Sequence, residues 1–270
     1  MRAAYVTDRS HFLRGAAFDL IGSAIGMRRI QYSAVIGCFG LTPAADWLLR
    51  RRKFWTLVQC DACAARGCYH NVCLSEASVL IPLFVRGGKL HTLMTLRSKQ
   101  LKTSAGEVCF PGGKRDPSDQ DDVGTALREA EEEIGLQPGN VQVICKLFPV
   151  INKSGLLVTP VVGFIDETFR PVLNPAEVSA VFSVPLDFFI SDKDHYASHN
   201  APGMMGALHS FYFADPVSKS QYHIWGLTAM LAVVVAAIAL KKKPEFDVGF
   251  DSEDPLSFFQ QVLHTRLSKL

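Results

Sequence analysis

The pattern of apolar and polar positions changes near residue 76 of this 270-residue chain. Residues 1–75 show no clear periodicity and mix Gly, Arg, Cys and aromatic residues, so we predict an N-terminal extension there. Beyond them, short apolar runs bounded by turn residues predict strands, and a three- to four-residue period predicts helices. The predicted strands span residues 79–85, 90–96, 141–148, 155–165 and 181–189, and the predicted helices span 121–134 and a stretch that starts near residue 228.

The order of these elements, strands then helix then strands then helix, predicts the fold class. It indicates an α/β (α+β) domain over residues 76–245, in which a mixed β-sheet is sandwiched between helices. Residues 246–270 are mostly polar and are predicted to form a C-terminal tail with a short helix around 256–263.

The longest apolar stretch, residues 224–240, ends at three lysines and Pro244. A membrane-spanning helix needs about 20 apolar residues, so this stretch is short for that purpose. Its alanine content and its proline stop favour a buried helix, and we predict no membrane span. The formal net charge of +2 does not indicate the strongly basic surface with which proteins bind nucleic acid.

The chain has seven cysteines, which is an odd number, and the N-terminus offers no convincing secretory signal. Reduced thiols are therefore expected rather than a disulfide framework. Five metal-ligating residues fall close together in the first 75 positions: Cys60, Cys63, Cys68, His70 and Cys73. A zinc site is open as an alternative, although the spacing is tight for a common finger.

Three glutamates are concentrated on the first predicted helix. A buried stripe is formed by Val123, Ala126, Leu127, Ala130 and Ile134. Glu129, Glu132 and Glu133 stand three and four positions apart and share another face of the helix. Their mutual repulsion would be relieved by a hard divalent cation, which prefers carboxylate oxygens. The alternative is a solvated acidic face.

The segment Arg128-Glu129-Ala130-Glu131-Glu132-Glu133-Ile134-Gly135-Leu136 resembles the second half of the Nudix box, and Gly113 resembles its opening glycine. The usual interval from that glycine to the arginine is fourteen positions, whereas here it is fifteen. The box has an acidic residue between its glycine and its arginine. Counted forward from Gly113, that position is Asp119. Counted back from Arg128, it is Gln120.

The resemblance to the Nudix hydrolase family implies a Nudix fold and a site that uses Mg²⁺ or Mn²⁺. It implies that Glu129, Glu132 and Glu133 bind the metal and act in catalysis. Arg128 is expected to orient them by ion pairing. Gly112 and Gly113 are expected to let the backbone turn closely beneath the site.

Residues 93–113 resemble the additional signature of the coenzyme A pyrophosphatase subgroup. The residues in register are Thr95, Arg97, Ser98, Gly106, Val108, Phe110, Pro111, Gly112 and Gly113. Met94 replaces leucine. Lys102 stands where the signature has arginine, so the positive charge is kept but the planar guanidinium group, which binds phosphate through two hydrogen bonds, is lost. The resemblance implies cleavage of the diphosphate bond of coenzyme A or acyl-CoA to 3′,5′-ADP and (acyl-)4′-phosphopantetheine. Arg97 and Lys102 are expected to bind the substrate's phosphates together with the glycine turn.

Two other functions stay open at this point. One is a Nudix pyrophosphatase for another dinucleotide, such as NADH or a diadenosine polyphosphate. The other is a non-catalytic module that binds acyl-CoA as a sensor, for which an intact carboxylate set has little use. Asn174-Pro175-Ala176-Glu177-Val178 also resembles the subgroup, and Glu177 is expected to order a loop near the site or to have a structural role.

The sequence ends in Ser268-Lys269-Leu270, the tripeptide that the peroxisomal import receptor binds. It predicts that the protein is imported into the peroxisomal matrix. The tripeptide is an address and carries no information about catalysis.

Overall fold

The computed structural model describes residues 74–200, 207–251, 259–261, 263 and 265. The predictions for residues 1–73, including the zinc alternative at Cys60, Cys63, Cys68, His70 and Cys73, lie outside the described residues. The tripeptide Ser268-Lys269-Leu270 also lies outside them.

The described chain alternates strands with helices, as predicted. The strands are β1 Glu76–Arg86, β2 Lys89–Arg97, β3 Val108–Cys109, β4 Gly112–Lys114, β5 Gln142–Lys146, β6 Val150–Ile151, β7 Leu157–Phe164, β8 Val178–Pro185, β9 Tyr196–Asn200, β10 Ala207–Ala214 and β11 Gln221–Trp225. The helices are α1 Asp122–Ile134 and α2 Gly226–Leu240, and short 3₁₀ turns span Pro138–Asn140 and Leu186–Ile190.

Eight strands form the main sheet, in which β3, β2, β1, β7 and β5 lie in that order. β1 pairs in parallel with β7 and antiparallel with β2, so the sheet is mixed. Successive side chains of β1 point to opposite faces of the sheet. Leu80 packs in the core cluster under α1, whereas Ile81 packs in the cluster that contains α2. The predicted sheet between helices is confirmed.

Helix α1 begins and ends close to its predicted bounds because both ends are capped. The side chain of Asp121 accepts a hydrogen bond from the N–H of Gly124 at 2.8 Å. Gly135 adopts a left-handed conformation with φ 71°, and its N–H donates to the carbonyl of Glu131 at 2.9 Å. The helix that carries the glutamates is therefore fixed in length and register.

A second sheet of three strands was not predicted from the sequence. β10 lies between β9 and β11, with antiparallel pairing on both sides. The inward side chains of this sheet, among them Phe211 of β10 and Ile224 of β11, are buried with α2. The rings of Phe182 and Tyr222 stack with centroids 3.7 Å apart, which joins this sheet to the main one.

Helix α2 is buried over most of its length, as predicted for the apolar stretch. No helix within the described part of the chain combines the length and apolarity needed to cross a membrane. The core continues past the predicted boundary at residue 245, because Val248, Phe259 and Leu263 are all buried.

Candidate metal centre

Strands β1 and β4 hold two glycines directly beneath α1. Gly112 pairs with Val79 and Gly113 with Ser78. A Cβ atom on Gly112 would overlap the carbonyl oxygen of Ser78, and one on Gly113 would overlap the carboxylate of Glu129. Gly112 is therefore required by the close approach of the β1 backbone, whereas a side chain at Gly113 would displace the Glu129 carboxylate from its place.

Glu129 and Glu133 stand one helical turn apart, on the side of α1 that faces Gly112 and Gly113. Glu133 is 2% exposed, and its Oε2 accepts a hydrogen bond from the N–H of Gly112 at 3.2 Å. Burial raises the pKa of Glu133 to about 8 and also raises the pKa of Glu129 above its ordinary value. Two carboxylates in this environment favour a bound cation over a pair of bare charges.

A third carboxylate reaches the same place from the loop before β8. The N–H of Asn174 donates to the carbonyl of Glu133 at 3.0 Å, and the N–H of Ser98 donates to the carbonyl of Glu177 at 2.7 Å. The amide of Asn174 also donates to the Glu177 carboxylate at 3.2 Å. These bonds bring oxygen atoms of Glu129, Glu133 and Glu177 to within 4.8 Å of one another.

Glu132 lies outside this cluster. Its carboxylate binds Arg128 at 2.9 Å, and its side chain is 51% exposed. Arg128 lies four residues earlier on the helix, and its guanidinium holds Glu132 on the solvent side. The metal-ligand and catalytic roles predicted for Glu132 therefore stay predictions, and Glu177 occupies the third position in the observed cluster.

Arg128 binds side chains of both α1 and the loop that precedes it. Its guanidinium binds both carboxylate oxygens of Asp119, at 2.9 and 3.0 Å, and also binds Glu129 at 3.0 Å. A further bond, of 3.1 Å, goes to the carbonyl of Lys114. Arg128 thus ties α1 to β4 and to the loop that follows it.

Arg97 lies on the face of the sheet that carries the carboxylates, whereas Lys102 lies on the exposed loop between β2 and β3. The Arg97 charge acts on both Glu133 and the Cys109 thiol. Its Nε is buried and has no hydrogen-bond partner among the described residues. A buried donor without a partner is costly, so this atom is a strong candidate for binding an anionic group.

The residue that sequence reasoning assigned least clearly is Glu177. The available signal was the Asn174-Pro175-Ala176-Glu177 segment, in which Asn174 forms a turn by accepting from the N–H of Ala176 at 3.2 Å. A turn of this kind predicts a loop but not the helix that it approaches. The contact with Glu133 depends on the pairing of β8 with β2.

Comparisons with known proteins address the same region. A family model described as the NUDIX domain matches residues 75–201, an interval that contains all three clustered glutamates. The mouse protein named peroxisomal coenzyme A diphosphatase NUDT7 is 45% identical over 205 residues, which cover 75% of this chain and 87% of the mouse protein.

Two further similarities concern a plant protein and a solved structure. Nudix hydrolase 15, mitochondrial, of Arabidopsis thaliana is 41% identical over 175 residues, which cover 63% of this chain and 61% of the plant protein. The solved structure of a C. elegans Ap4A hydrolase binary complex is similar with a TM-score of 0.37 and 18% identity, over 42% of this chain and 82% of that one.

Proposed function

Because the chain belongs to the Nudix family of hydrolases, we propose that it cleaves the diphosphate bond of coenzyme A and acyl-CoA. The products are 3′,5′-ADP and 4′-phosphopantetheine or its acyl ester. The name of the mouse relative states a coenzyme A diphosphatase activity for that protein. Residues 93–113 support the same substrate through their resemblance to the coenzyme A pyrophosphatase signature.

The observation that carries this proposal is the cluster of Glu129, Glu133 and Glu177 within 4.8 Å. Nudix hydrolases depend on divalent metal, and three carboxylates beside a glycine turn fit an ion such as Mg²⁺ or Mn²⁺. We propose that these three residues hold it. Glu132 is the alternative ligand from the sequence, and it would have to leave Arg128 to take part.

When bound, the ion supplies charge neutralisation of the diphosphate and lowers the pKa of the attacking water. The chain's own residues fix the geometry. The N–H of Gly112 orients the Glu133 carboxylate, and Arg128 restrains Glu129 from the opposite side. The buried Nε of Arg97 donates to a phosphate oxygen of the substrate in this proposal. The backbone of Gly112 and Gly113 lies beneath that diphosphate.

Lys102 is proposed to contact the substrate at its phosphorylated adenosine end. It is exposed on the loop between β2 and β3, close in sequence to Arg97. A lysine ammonium is a flexible point charge, which suits a mobile 3′-phosphate better than a fixed diphosphate. Removing this charge is expected to weaken coenzyme A binding while sparing slow hydrolysis of smaller diphosphates.

Product analysis tests the function directly. Purified protein with Mg²⁺ and coenzyme A is expected to release 3′,5′-ADP and 4′-phosphopantetheine, detected by chromatography and mass. NADH and diadenosine tetraphosphate serve as competing substrates. Faster cleavage of either one would favour the other pyrophosphatase activity. Tight acyl-CoA binding without any product would favour the sensor function.

We also propose that residues 1–73 are not needed for this chemistry. Every residue of the proposed site lies downstream, and Leu74 is the first described residue that packs against the core. Protein that lacks residues 1–73 is expected to keep its turnover. A folded truncated protein without activity would mean that the extension completes the site.

Peroxisomal location is proposed from Ser268-Lys269-Leu270 and from the name of the mouse relative. The plant relative is named as mitochondrial, so location differs among similar proteins. Fusing the last twelve residues to a fluorescent reporter is expected to send it to peroxisomes through the import receptor. Deleting Leu270 is expected to leave the reporter in the cytosol, and a cytosolic reporter with the tail intact would contradict the proposal.

A further inference from the structure

A buried threonine lies on the face of the main sheet that α1 covers. Leu93 of β2 packs in the core cluster under this helix. Thr95 follows two positions later on the same strand, so its side chain points to the same face. Thr95 is fully buried. A buried hydroxyl needs a hydrogen-bond partner to offset the loss of its contacts with water, so Thr95 needs one within the protein.

The partner of Thr95 is Cys109 on the adjacent strand. The two residues are cross-strand neighbours of β2 and β3. The Thr95 hydroxyl donates to the backbone carbonyl of Cys109 at 3.3 Å, and its Oγ1 also forms a hydrogen bond of 3.1 Å with the Cys109 Sγ. The place of the sulfur is thus fixed by the pairing of two strands and by a fully buried side chain.

Arg97 brings its guanidinium to the same sulfur. It lies two positions after Thr95 on β2, and its side chain therefore shares the face of Thr95. Its backbone N–H donates to the carbonyl of Glu107 at 3.0 Å, which extends the pairing of β2 to the residue before β3. Burial raises the pKa of the Cys109 thiol most, whereas hydrogen bonds with Thr95 and Arg97 lower this pKa. The sulfur therefore contacts both the hydroxyl and the guanidinium.

The partners of Arg97 differ in kind from those of Arg128. Arg128 binds three carboxylates, which balance its charge. Among the described residues, Arg97 forms no salt bridge, and its buried Nε has no hydrogen-bond partner. A thiol and a hydroxyl are neutral, and sulfur is only a weak acceptor. They can restrain the guanidinium of Arg97 without neutralising it.

We propose that Thr95 and Cys109 are positioning residues that hold the Arg97 guanidinium for the substrate's diphosphate. A carboxylate in the place of the thiol would hold the arginine more firmly but would balance its charge. A neutral partner leaves that charge and the Nε donor available for a phosphate oxygen. This inference rests on the proposed function. It gives the two residues a role in substrate binding that acts through Arg97, without contact with the substrate.

Substitutions of the two neutral side chains test this role. Cys109→Ala and Thr95→Val are each expected to raise the KM for coenzyme A by about fivefold, the effect of one neutral hydrogen bond. The kcat is expected to stay within about twofold, because Arg97 binds the diphosphate equally before and during the reaction. Cys109→Ser and Thr95→Ser keep a polar atom in place and are expected to have a KM within about twofold of the wild type. An unchanged KM in both Cys109→Ala and Thr95→Val would overturn the proposal.

Cys145→Ala is the matched control. Cys145 is the other described cysteine, and it is buried on β5 in the core cluster that contains α2. Its substitution is expected to lower the melting temperature, as the loss of a buried side-chain atom does, and to leave the KM unchanged. An equal rise in KM for Cys145→Ala and Cys109→Ala would mean that lost stability alone weakens substrate binding. That result would overturn the proposal.

A double-mutant cycle separates positioning from structural support. In an Arg97→Ala background the guanidinium that Cys109 holds is gone, so adding Cys109→Ala is expected to cause no further rise in KM. A rise of about fivefold in both backgrounds would overturn the proposal, because the cysteine would then act independently of the arginine.

The mobility of Arg97 supplies a readout that does not depend on turnover. NMR relaxation of its Nε–H group, identified by the loss of the signal in Arg97→Lys, reports the order of this side chain on the ps–ns timescale. That order is expected to fall in Cys109→Ala and to stay unchanged in Cys145→Ala. If wild-type protein releases no product from coenzyme A, the proposed function fails, but this measurement still decides. Equal order in wild type and Cys109→Ala would overturn the positioning role on its own.

Discussion

Arg128 binds both carboxylate oxygens of Asp119, with Nε–Oδ1 and Nη2–Oδ2 distances of 2.9 and 3.0 Å. Paired contacts of this kind are stronger and more directional than a single ion pair. They hold the pKa of Asp119 well below its usual range. Asp119, and not Gln120, is therefore the acidic partner of the arginine, and the loop before α1 accommodates the extra residue of the interval.

Replacing Asp119 tests the importance of this pair. Asp119→Asn keeps the shape of the side chain but removes its charge, which leaves the guanidinium with a weaker partner. The free energy of unfolding is expected to fall by about 1.5–3 kcal/mol, as for other hydrogen bonds to charged groups. Turnover is also expected to fall, because Arg128 restrains Glu129 less well. Urea denaturation and steady-state kinetics measure the two effects.

The neighbouring glutamine provides the control for that experiment. The side chain of Gln120 is exposed, and its contact with Arg115 is made by the backbone carbonyl at 3.2 Å. Gln120→Ala is therefore expected to leave stability and turnover nearly unchanged. A larger effect of Gln120→Ala than of Asp119→Asn would contradict this. Residue 120, counted back from Arg128, would then be the position that corresponds to the acidic residue of the box.

A second prediction separates the two candidates for the third ligand. Glu177→Gln removes a charge from the cluster, whereas Glu132→Gln removes one that binds Arg128 in solvent. If Glu177 holds the ion, its substitution is expected to lower kcat by several powers of ten, since each 1.36 kcal/mol of lost stabilisation is about tenfold in rate. Glu132→Gln is expected to lower kcat by about tenfold or less.

Metal titration followed by kinetics makes this comparison sharper. The Mn²⁺ concentration for half-maximal activity is expected to rise strongly for Glu177→Gln and only slightly for Glu132→Gln. The reverse order would mean that Glu132 leaves Arg128 when metal and substrate bind. The ligand set predicted from the sequence would then be the functional one.

The sequence predicted the parts of the site that local rules determine. Helix α1 could be placed within one residue because Asp121 and Gly135 are strong capping residues. Glu129 and Glu133 could be placed on one face because four positions are close to one helical turn. Such features depend on neighbours within a few positions along the chain, which a sequence pattern displays directly.

The remainder depends on contacts between distant segments. Glu177 reaches Glu133 only because β8 pairs with β2. Glu132 binds Arg128 on the same helix, and Arg128 is itself bound by Asp119 from the loop before α1. The small sheet was missed for a related reason, since its strands are stabilised by packing on α2 rather than by strong local signals.

A third prediction concerns the two described cysteines. Burial raises the pKa of Cys109 to about 11 and that of Cys145 to about 12. The thiolate is the reactive form, so both side chains are expected to be inert at pH 8. Alkylation of the folded protein with iodoacetamide, followed by peptide mapping, is expected to leave both unmodified. Labelling in 8 M urea is the control, and rapid labelling of the folded protein would contradict the raised thiol pKa values.

The last prediction follows from the burial of Glu133. Its pKa is raised from 4.5 to about 8 in the folded protein, so the folded state retains a proton that the unfolded state loses. Stability therefore falls as pH rises between these two values, because the folded state binds more protons there. Without metal, the wild type is expected to lose stability relative to Glu133→Gln between pH 5 and pH 8. Parallel curves for the two proteins in EDTA would contradict this.

Metal is expected to reverse that trend, because a bound cation replaces the proton on the buried carboxylate. Mn²⁺ should therefore raise the melting temperature of the wild type more at pH 8 than at pH 5.5. Glu133→Gln should gain little at either pH and should lose several powers of ten in kcat, since the ion contributes several kcal/mol to the transition state. A folded Glu133→Gln protein with near-normal turnover would remove the buried carboxylate from the mechanism.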